Sequence, residues 1–148
     1  MCAQSALWLF VFEFNLWRNI CQAGFHFAHA PLINGLMTKF ERSVLRAWTP
    51  RHASSDADMA RALAEVHGEL ILVHPFREGN GRLARLLALL MGLQAGLPPL
   101  DFSPLAGCGK RSYIAGIHAA LDRDYARLSA MFMRVIGRSR TGAASSAR

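Results

Sequence analysis

The stretch HPFREGNGRLAR, residues 74–85, lies between two segments whose apolar residues recur at helical spacing. It places a histidine, a carboxylate, a Gly-Asn-Gly and several arginines within a single short connection. A turn that only joins two core helices needs none of these polar groups. The stretch therefore predicts a functional loop between two helices.

The ends of the loop follow from its own residues. Because a residue before proline disfavours the α conformation, the first helix should end at or near His74, which precedes Pro75. The second helix should begin near Asn80 or Gly81. Residues 75–80 then lead directly into a helix N-terminus, where free backbone N–H groups and the positive end of the helix dipole attract anions.

The side chains around this N-terminus suit a polyphosphate. Gly79 and Gly81 let a phosphate approach the backbone and permit left-handed conformations. Arg82 and Arg85 are three residues apart and share one helical face, and their planar guanidinium groups match phosphate oxygens. Glu78 has the wrong sign for an anion site unless it holds a cation. A magnesium ion bound by one carboxylate and by nucleotide phosphates is a usual arrangement.

His74 stands at the edge of this anion site as the nearby group that can accept a proton near neutral pH. Each part alone has a simpler explanation, since Gly-Asn-Gly is commonly a turn and a histidine at a helix end is commonly a cap. Gly79-x-Gly81-x-x-Ala84 also matches a dinucleotide fingerprint, but a helix rather than a strand precedes it. The complete set favours a group-transfer site.

The rest of the chain predicts an all-α fold. Apolar residues recur every three or four positions over residues 33–48, 59–73, 83–93 and 114–135. The third run is apolar almost all round from Leu86, which predicts the buried central helix of the bundle. Ser55 and Asp58 predict a cap at the start of the second run. Gly96 and the prolines after it predict the end of the third.

The two ends of the chain have different patterns. Residues 21–31, CQAGFHFAHAP, predict an extended hairpin or flap. We expect the apolar N-terminal segment to be a truncated first core helix, because it contains Glu13, lacks a basic flank and has too short an apolar run for a membrane span. Residues 138–148 are of low complexity and predict a disordered basic tail. Residues 1–137 should therefore form a single domain.

Composition narrows the function classes. The net charge of +7 comes from scattered arginines with no basic strip interleaved with aromatics, so we expect a solvated surface and no nucleic-acid partner. The three cysteines are far apart and form no C-x-x-C pair, which argues against a disulfide framework or a zinc site. A reducing cytoplasm is the expected compartment.

At the level of motif, the loop resembles the signature of the Fic family, His-x-Phe-x-Asp/Glu-Gly-Asn-Gly-Arg-x-x-Arg. The fixed positions of that signature are here His74, Phe76, Glu78, Gly79, Asn80, Gly81, Arg82 and Arg85. The resemblance extends over about residues 25–136 and weakens before residue 19. It implies a helical bundle with a short β-hairpin flap, and it implies a protein adenylyltransferase that uses ATP and Mg²⁺.

The resemblance also implies a role for each motif residue. His74 would deprotonate a Tyr, Thr or Ser hydroxyl of a target protein, and Glu78 would hold Mg²⁺. The amides of residues 79–81 would cradle phosphates, with Asn80 at the α-phosphate. Arg82 and Arg85 would hold the β- and γ-phosphates. Phe76 would be a buried anchor.

Outside the motif, the resemblance implies a target-binding flap at Gly24, Phe25, His26 and Phe27. Tyr113 aligns loosely with an aromatic residue near the nucleotide base, although tyrosine is also ordinary core material. His67 lies two turns before His74 on the same face, and we expect a core histidine or one that supports the site.

Two alternatives stay open on the sequence alone. The same fold could move another nucleotide or phosphate group, or it could bind nucleotide without turnover. The chain also lacks the Ser/Thr-x-x-x-Glu-Gly/Asn segment that inhibits many relatives. Inhibition would then come from a small antitoxin-like protein, from sequence before residue 1, or from neither.

Overall fold

The computed structural model describes residues 21–22, 25–26, 28–49 and 55–146. Two short strands, β1 (Cys21–Gln22) and β2 (Phe25–His26), come first. Helix α1 begins as Ile33–Lys39, widens into a π-helical segment over Phe40–Leu45 and ends as Arg46–Trp48. The four longer helices are α2 (Asp56–Val73), α3 (Asn80–Gln94), α4 (Lys110–Ala119) and α5 (Ala126–Ser146). Short 3-10 turns lie at Ala30–Leu32, Ser103–Leu105, Gly107–Gly109 and Ala120–Asp122.

Helix α2 is the centre of the bundle. It packs against α5 along most of its length, and also against α3, α4 and the π-helical part of α1. Leu63, Val66 and Leu70 are fully buried on α2, as are Leu128 and Phe132 on α5. Burial of these side chains from two neighbouring helices gives the hydrophobic core that holds the rest of the bundle together.

The N-terminus of α2 is capped as the sequence predicted. Ser55 is the N-cap residue, and its Oγ accepts a hydrogen bond of 3.1 Å from the backbone N–H of Asp58. The same hydroxyl donates to the Asp58 carboxylate at 2.8 Å. The cap satisfies one of the free N–H groups of the first turn, and the carboxylate complements the positive end of the helix dipole.

Helix α3 is not the buried central helix that its leucine content predicted. It packs on α2 through one stripe of mostly small residues, which includes Ala84 and Ala88, while Gly92 at its end lies against Leu100. The opposite stripe is open: the exposed fractions of Leu86, Leu90 and Leu93 are 53%, 50% and 46%. The described helices cover only one side of α3, so its additional leucines have nothing to pack against among those elements.

The end of α3 agrees with the prediction. Gly96 adopts a left-handed conformation with φ 76°. The Gly96 N–H donates to the Leu93 carbonyl at 3.0 Å, and the Leu97 N–H donates to the Gly92 carbonyl at 2.9 Å. These are the two hydrogen bonds of a Schellman motif, and a residue without Cβ makes the turn at no steric cost.

The predicted disordered tail is wrong for residues 138–146, because α5 continues through Ser146. Ser139 is buried, and its Oγ accepts from the Asp101 N–H at 2.9 Å and donates to the Val135 carbonyl at 2.7 Å. Arg140 makes two hydrogen bonds to the Asp56 carboxylate, at 3.0 and 2.7 Å. Low-complexity composition did not reveal the partners Asp101 and Asp56, which lie far away in sequence.

The two strands pair antiparallel, with Cys21 opposite His26 and Gln22 opposite Phe25. Gly24 and Phe27 of the predicted flap lie outside the described residues, and so does the expected first core helix. A target-binding role for this hairpin therefore stays a prediction. None of the helices in the described ranges is both long and apolar enough to cross a membrane.

Candidate functional site

His74 ends α2 in a conformation that few residues other than glycine adopt. Its φ and ψ are 52° and 57°, in the left-handed region, and its N–H donates to the Leu70 carbonyl at 3.2 Å. The turn of the backbone at this residue directs the chain into Pro75 and the loop. The predicted end of the helix at His74 is confirmed, and the strained position is of the kind that proteins retain at functional sites.

The ring of His74 has a defined tautomer. Its Nδ1 lies 3.2 Å from the Ile71 carbonyl oxygen, which can only accept a hydrogen bond. The proton of the neutral ring is therefore on Nδ1, and Nε2 carries the lone pair. Partial burial lowers the pKa of His74, and the Ile71 hydrogen bond opposes this only in part. The ring is thus neutral at physiological pH and able to accept a proton at Nε2.

Asn80 holds the loop closed. Its side chain is 2% exposed and bonds both backbone groups of Phe76: Oδ1 accepts from the N–H at 2.9 Å, and Nδ2 donates to the carbonyl at 2.6 Å. This fixes the loop at the first residue of α3. A contact between Asn80 and an α-phosphate stays a prediction. The resemblance implied that Phe76 is a buried anchor, but Phe76 is only half-buried. The buried residue at this point of the loop is its neighbour Pro75.

The two glycines of the loop have different requirements. Gly79, the N-cap residue of α3, has φ 85°, where a side chain would strain the backbone. Gly81 is helical, and a Cβ there would meet only Arg85 Nη1, at 3.7 Å. The prediction that both glycines permit left-handed conformations thus holds for Gly79 alone. The fold itself does not require glycine at position 81.

The arginine side chains fold back toward the start of α3. The nearest neighbour of a Cβ built at Gly79 is Arg82 Nη2, at 3.6 Å, and the neighbour at Gly81 is Arg85 Nη1. Arg82 is exposed, and Arg85 is half-buried. Two guanidinium groups therefore lie over the same turn that presents the free N–H groups of the helix. This turn combines three sources of positive potential, which makes it suited to an anion with several charges.

Glu78 is exposed at the apex of the loop. In the described part of the chain, no group of three or more His, Cys, Asp or Glu side chains could hold a metal ion. A divalent cation at Glu78 would therefore need oxygen ligands from a bound molecule. Magnesium accepts this arrangement, because it commonly takes one or two protein carboxylates together with phosphates and waters.

His67 of α2, which is buried, and Tyr113 of α4, which is half-buried, form a hydrogen-bonded pair. His67 Nε2 lies 2.9 Å from the Tyr113 hydroxyl, and His67 is 1% exposed. Burial lowers the pKa of His67 to about 4, with a smaller opposing effect of the Ala84 backbone and a further decrease from Arg85. Burial raises the pKa of Tyr113 to about 12, and Arg85 opposes this. The expected core histidine is confirmed, but its bond to Tyr113 joins residues too far apart for sequence patterns to predict.

Three comparisons relate this geometry to known proteins. Protein adenylyltransferase fic-1 of Caenorhabditis elegans is 37% identical over 73 residues, which are 49% of this chain and 14% of that protein. Protein adenylyltransferase Fic of Drosophila melanogaster is 38% identical over 65 residues, 44% of this chain and 12% of that protein. The matched residues thus span about one seventh or less of these relatives.

A solved structure shares the fold. The crystal structure of BepC, a VirB-translocated effector protein of Bartonella tribocorum with bound AMPPNP, superposes with a TM-score of 0.64. The two proteins are 24% identical, and the superposition covers 78% of this chain and 54% of BepC. The family model described as the Fic/DOC family matches residues 7–91, which include the whole 74–85 stretch and more than half of the chain. The chain therefore belongs to the Fic/DOC family.

Proposed function

We propose that the chain is a nucleotidyltransferase, specifically a protein adenylyltransferase that moves AMP from ATP to a Tyr, Thr or Ser hydroxyl of a target protein. One observation carries the proposal: the basic nitrogen of His74 and the positive start of α3 lie at the two ends of one six-residue loop, residues 74–79. A proton acceptor and a polyanion site at this separation suit attack of a hydroxyl on a phosphate. The names of the sequence relatives and the nucleotide analogue in BepC support the same reaction.

The start of α3 would bind the triphosphate. Its free N–H groups point toward the loop, and the absence of a Cβ at Gly81 lets a phosphate oxygen approach them closely. Arg82 and Arg85 would then contact the β- and γ-phosphates. Since Arg85 is half-buried, its charge is less screened by water than that of the exposed Arg82, and we expect it to contribute more to binding.

Glu78 would hold the magnesium ion. Its exposed carboxylate stands next to the turn where the phosphates would lie, and phosphate oxygens and waters would complete the coordination. When bound, the ion would neutralise charge on the phosphates and help to align them. Excess chelator should therefore abolish the activity, whereas full activity without divalent metal would exclude this role for Glu78.

In the chemical step, His74 Nε2 would take the proton of the target hydroxyl as its oxygen attacks the α-phosphorus. A new O–P bond forms, the bond between the α-phosphorus and the bridging oxygen breaks, and pyrophosphate leaves. The neutral ring that burial of His74 favours is the form able to do this. The N–H groups and arginines at the start of α3 would stabilise the negative charge on the transferred group.

The target would bind near the β1–β2 hairpin, with contacts from Gly24, Phe25, His26 and Phe27. An extended hairpin offers backbone hydrogen bonds to a segment of the target and could present a hydroxyl to His74. A cytoplasmic location and an antitoxin-like inhibitor acting from outside the chain are further parts of this proposal. The location and the inhibitor are both inferred from the amino-acid sequence alone.

Incubation with α-labelled and γ-labelled ATP, Mg²⁺ and a cell lysate tests the proposal. If the α label alone reaches protein, the activity is adenylylation. If the γ label alone reaches protein, the activity is that of a kinase. Nucleotide binding without transfer of either label means a binding module. His74→Ala is the control, because label that persists in this variant does not arise from the proposed site.

A further inference from the structure

A groove lies over α2, between the π-helical part of α1 and the connection from α4 to α5. It consists of two cavities of about 410 and 120 Å³, which share Glu65, Arg123 and Tyr125 as lining residues. The combined volume is in the range of sites that bind small molecules or short peptide segments. The groove is separate from the start of α3, where the phosphates of a nucleotide would lie.

The groove follows α2 as far as the 74–79 loop. The residues of α2 that line it recur every four positions and so form one ridge of the helix: Arg61, Glu65, Glu69 and Val73. Because an α-helix rises 1.5 Å per residue, this ridge is about 18 Å long, which an extended segment of five or six residues would cover. Val73 directly precedes His74. A segment that fills the groove would therefore end beside the proposed base.

Arg123 has a backbone conformation that suits glycine better than arginine. Its φ and ψ are 59° and 23°, in the left-handed region, and its N–H donates to the Ala120 carbonyl at 3.0 Å. Glycine is the usual residue in a turn of this kind, because a Cβ strains it. The turn alone thus does not explain an arginine here. Since Arg123 lines both cavities, its side chain is available to a ligand of the groove.

The two carboxylates of the groove already have hydrogen-bond partners. Glu65 Oε2 accepts from the indole N–H of Trp48 at 3.0 Å, and Glu69 accepts from the Tyr125 hydroxyl. Both glutamates are half-buried. These bonds hold the two acids against the protein, so they do not need a cationic ligand.

The cations of the groove are in the opposite situation. Arg123 and Lys39 are exposed, and among the described residues no carboxylate lies within ion-pair distance of either. The third cation, Arg61, lies over the Trp48 ring, with 5.9 Å between its guanidinium carbon and the ring centroid. The charges left without a partner are therefore positive, and they favour an acidic ligand.

We propose that the groove binds an acidic segment of the target protein, close to the hydroxyl that receives AMP. Arg123 and Lys39 would pair with its carboxylates. Apolar side chains between those carboxylates would lie against Phe40 and Val44 in the π-helical wall, a kind of segment that often occurs at functional sites. The proposal rests on the proposed function, because it names the chemistry of the target that His74 would serve.

The test measures the binding of two fluorescent peptides by anisotropy, without nucleotide. One is a six-residue peptide that alternates glutamate and leucine and ends in tyrosine, and the other has lysine in place of each glutamate. We expect the acidic peptide to bind at least about 10-fold more tightly. Arg123→Gly should weaken its binding about 10-fold, as for one lost hydrogen bond to a charged group. The melting temperature of this variant should not fall, because glycine suits the left-handed turn.

Arg134→Gln is the matched control. Arg134 is exposed on α5 and lines neither cavity, so its loss removes the same charge away from the groove. Since the chain has a net charge of +7, this variant separates recognition in the groove from a general attraction of acidic peptides. Its affinity for the acidic peptide should stay close to that of the parent chain.

The proposal is wrong if Arg123→Gly binds the acidic peptide as tightly as Arg134→Gln does, or if the parent chain binds the two peptides equally or not at all. Succinate that displaces the peptide at equal concentration would assign the groove to small anions and would also contradict the proposal. Selective peptide binding by a chain that transfers no AMP would contradict the proposed function and leave the acidic-segment site intact.

Discussion

The two helices joined by the 74–79 loop use their apolar residues differently. Helix α2 buries large side chains such as Leu63 and Leu70, because α3 and α5 both pack against it. Helix α3 contains more leucine, yet it buries Ala84 and Ala88 and leaves Leu90 half-exposed. Apolar content therefore does not decide which helix is central; the number of neighbouring elements does.

The same two helices also differ in the chemistry that they bring to the loop. The end of α2 supplies His74, a neutral ring able to accept a proton, and the start of α3 supplies N–H groups and arginines able to hold an anion. In the proposed reaction one helix serves the chemical step and the other serves binding. Variants on each side should therefore change different measured quantities.

The largest expected effect contrasts the cores of the two helices. Leu63→Ala removes a fully buried side chain and should lower the free energy of unfolding by about 2–5 kcal/mol. Leu90→Ala, on the exposed stripe of α3, should lower it by less than about 1 kcal/mol. Chemical denaturation of both variants measures the difference. If Leu90→Ala lowered the free energy of unfolding as much as Leu63→Ala, this face of α3 would be covered in solution.

A second contrast concerns pH. The pKa of His67 falls from 6.5 to about 4 in the folded chain, so the unfolded chain binds the proton more readily between these values. Stability should therefore decrease as the pH falls from 6.5 toward 4, by roughly 3 kcal/mol from this residue. The lowered pKa of His74 acts in the same direction.

His67→Leu should remove most of this acid sensitivity, as measured by denaturation at several pH values. If His67→Leu loses as much stability at low pH as the parent chain does, other groups cause the acid sensitivity.

The smallest expected effects on stability come from replacing the two loop glycines, and they should differ between Gly81 and Gly79. Gly81→Ala meets no close neighbour and adds a good helix former, so its free energy of unfolding should stay within about 0.5 kcal/mol or rise. Its affinity for ATP should nevertheless fall, because the methyl group occupies the phosphate approach. Gly79→Ala, at φ 85°, should destabilise the chain by about 1–2 kcal/mol. Unchanged ATP affinity in Gly81→Ala would show that phosphates do not approach there.

The predictions that the structure confirms rest on local signals. The Ser55 cap, the end of α2 at His74 and the Gly96 stop each depend on residues within one or two turns. The errors depend on distant partners. Arg140 pairs with Asp56, 84 residues away, and this pairing helps to order a segment that composition predicted to be disordered. The exposed face of α3 reflects which helices pack against it, and sequence periodicity contains no such information.

Within the site, the sequence identified the residue types of the loop but not all of their contacts. The Asn80 side chain bonds the Phe76 backbone inside the loop, although the motif alone suggested a ligand contact. The tautomer of His74 depends on the Ile71 carbonyl, which has no helical donor because residue 75, four positions on, is a proline without an N–H. Such details follow from three-dimensional geometry and could not be read from residue spacing.

The central claim is tested most directly by measuring AMP transfer and ATP affinity on the same preparations of His74→Ala and Arg85→Ala. His74→Asn is added because asparagine tolerates the left-handed conformation without providing the base. We predict that both His74 variants lower the transfer rate about 10²–10⁴-fold and leave ATP affinity nearly unchanged, whereas Arg85→Ala weakens ATP binding. If the His74 variants lose ATP binding as fully as they lose transfer while remaining folded, His74 is a ligand-binding residue, and the assignment of the base to α2 is contradicted.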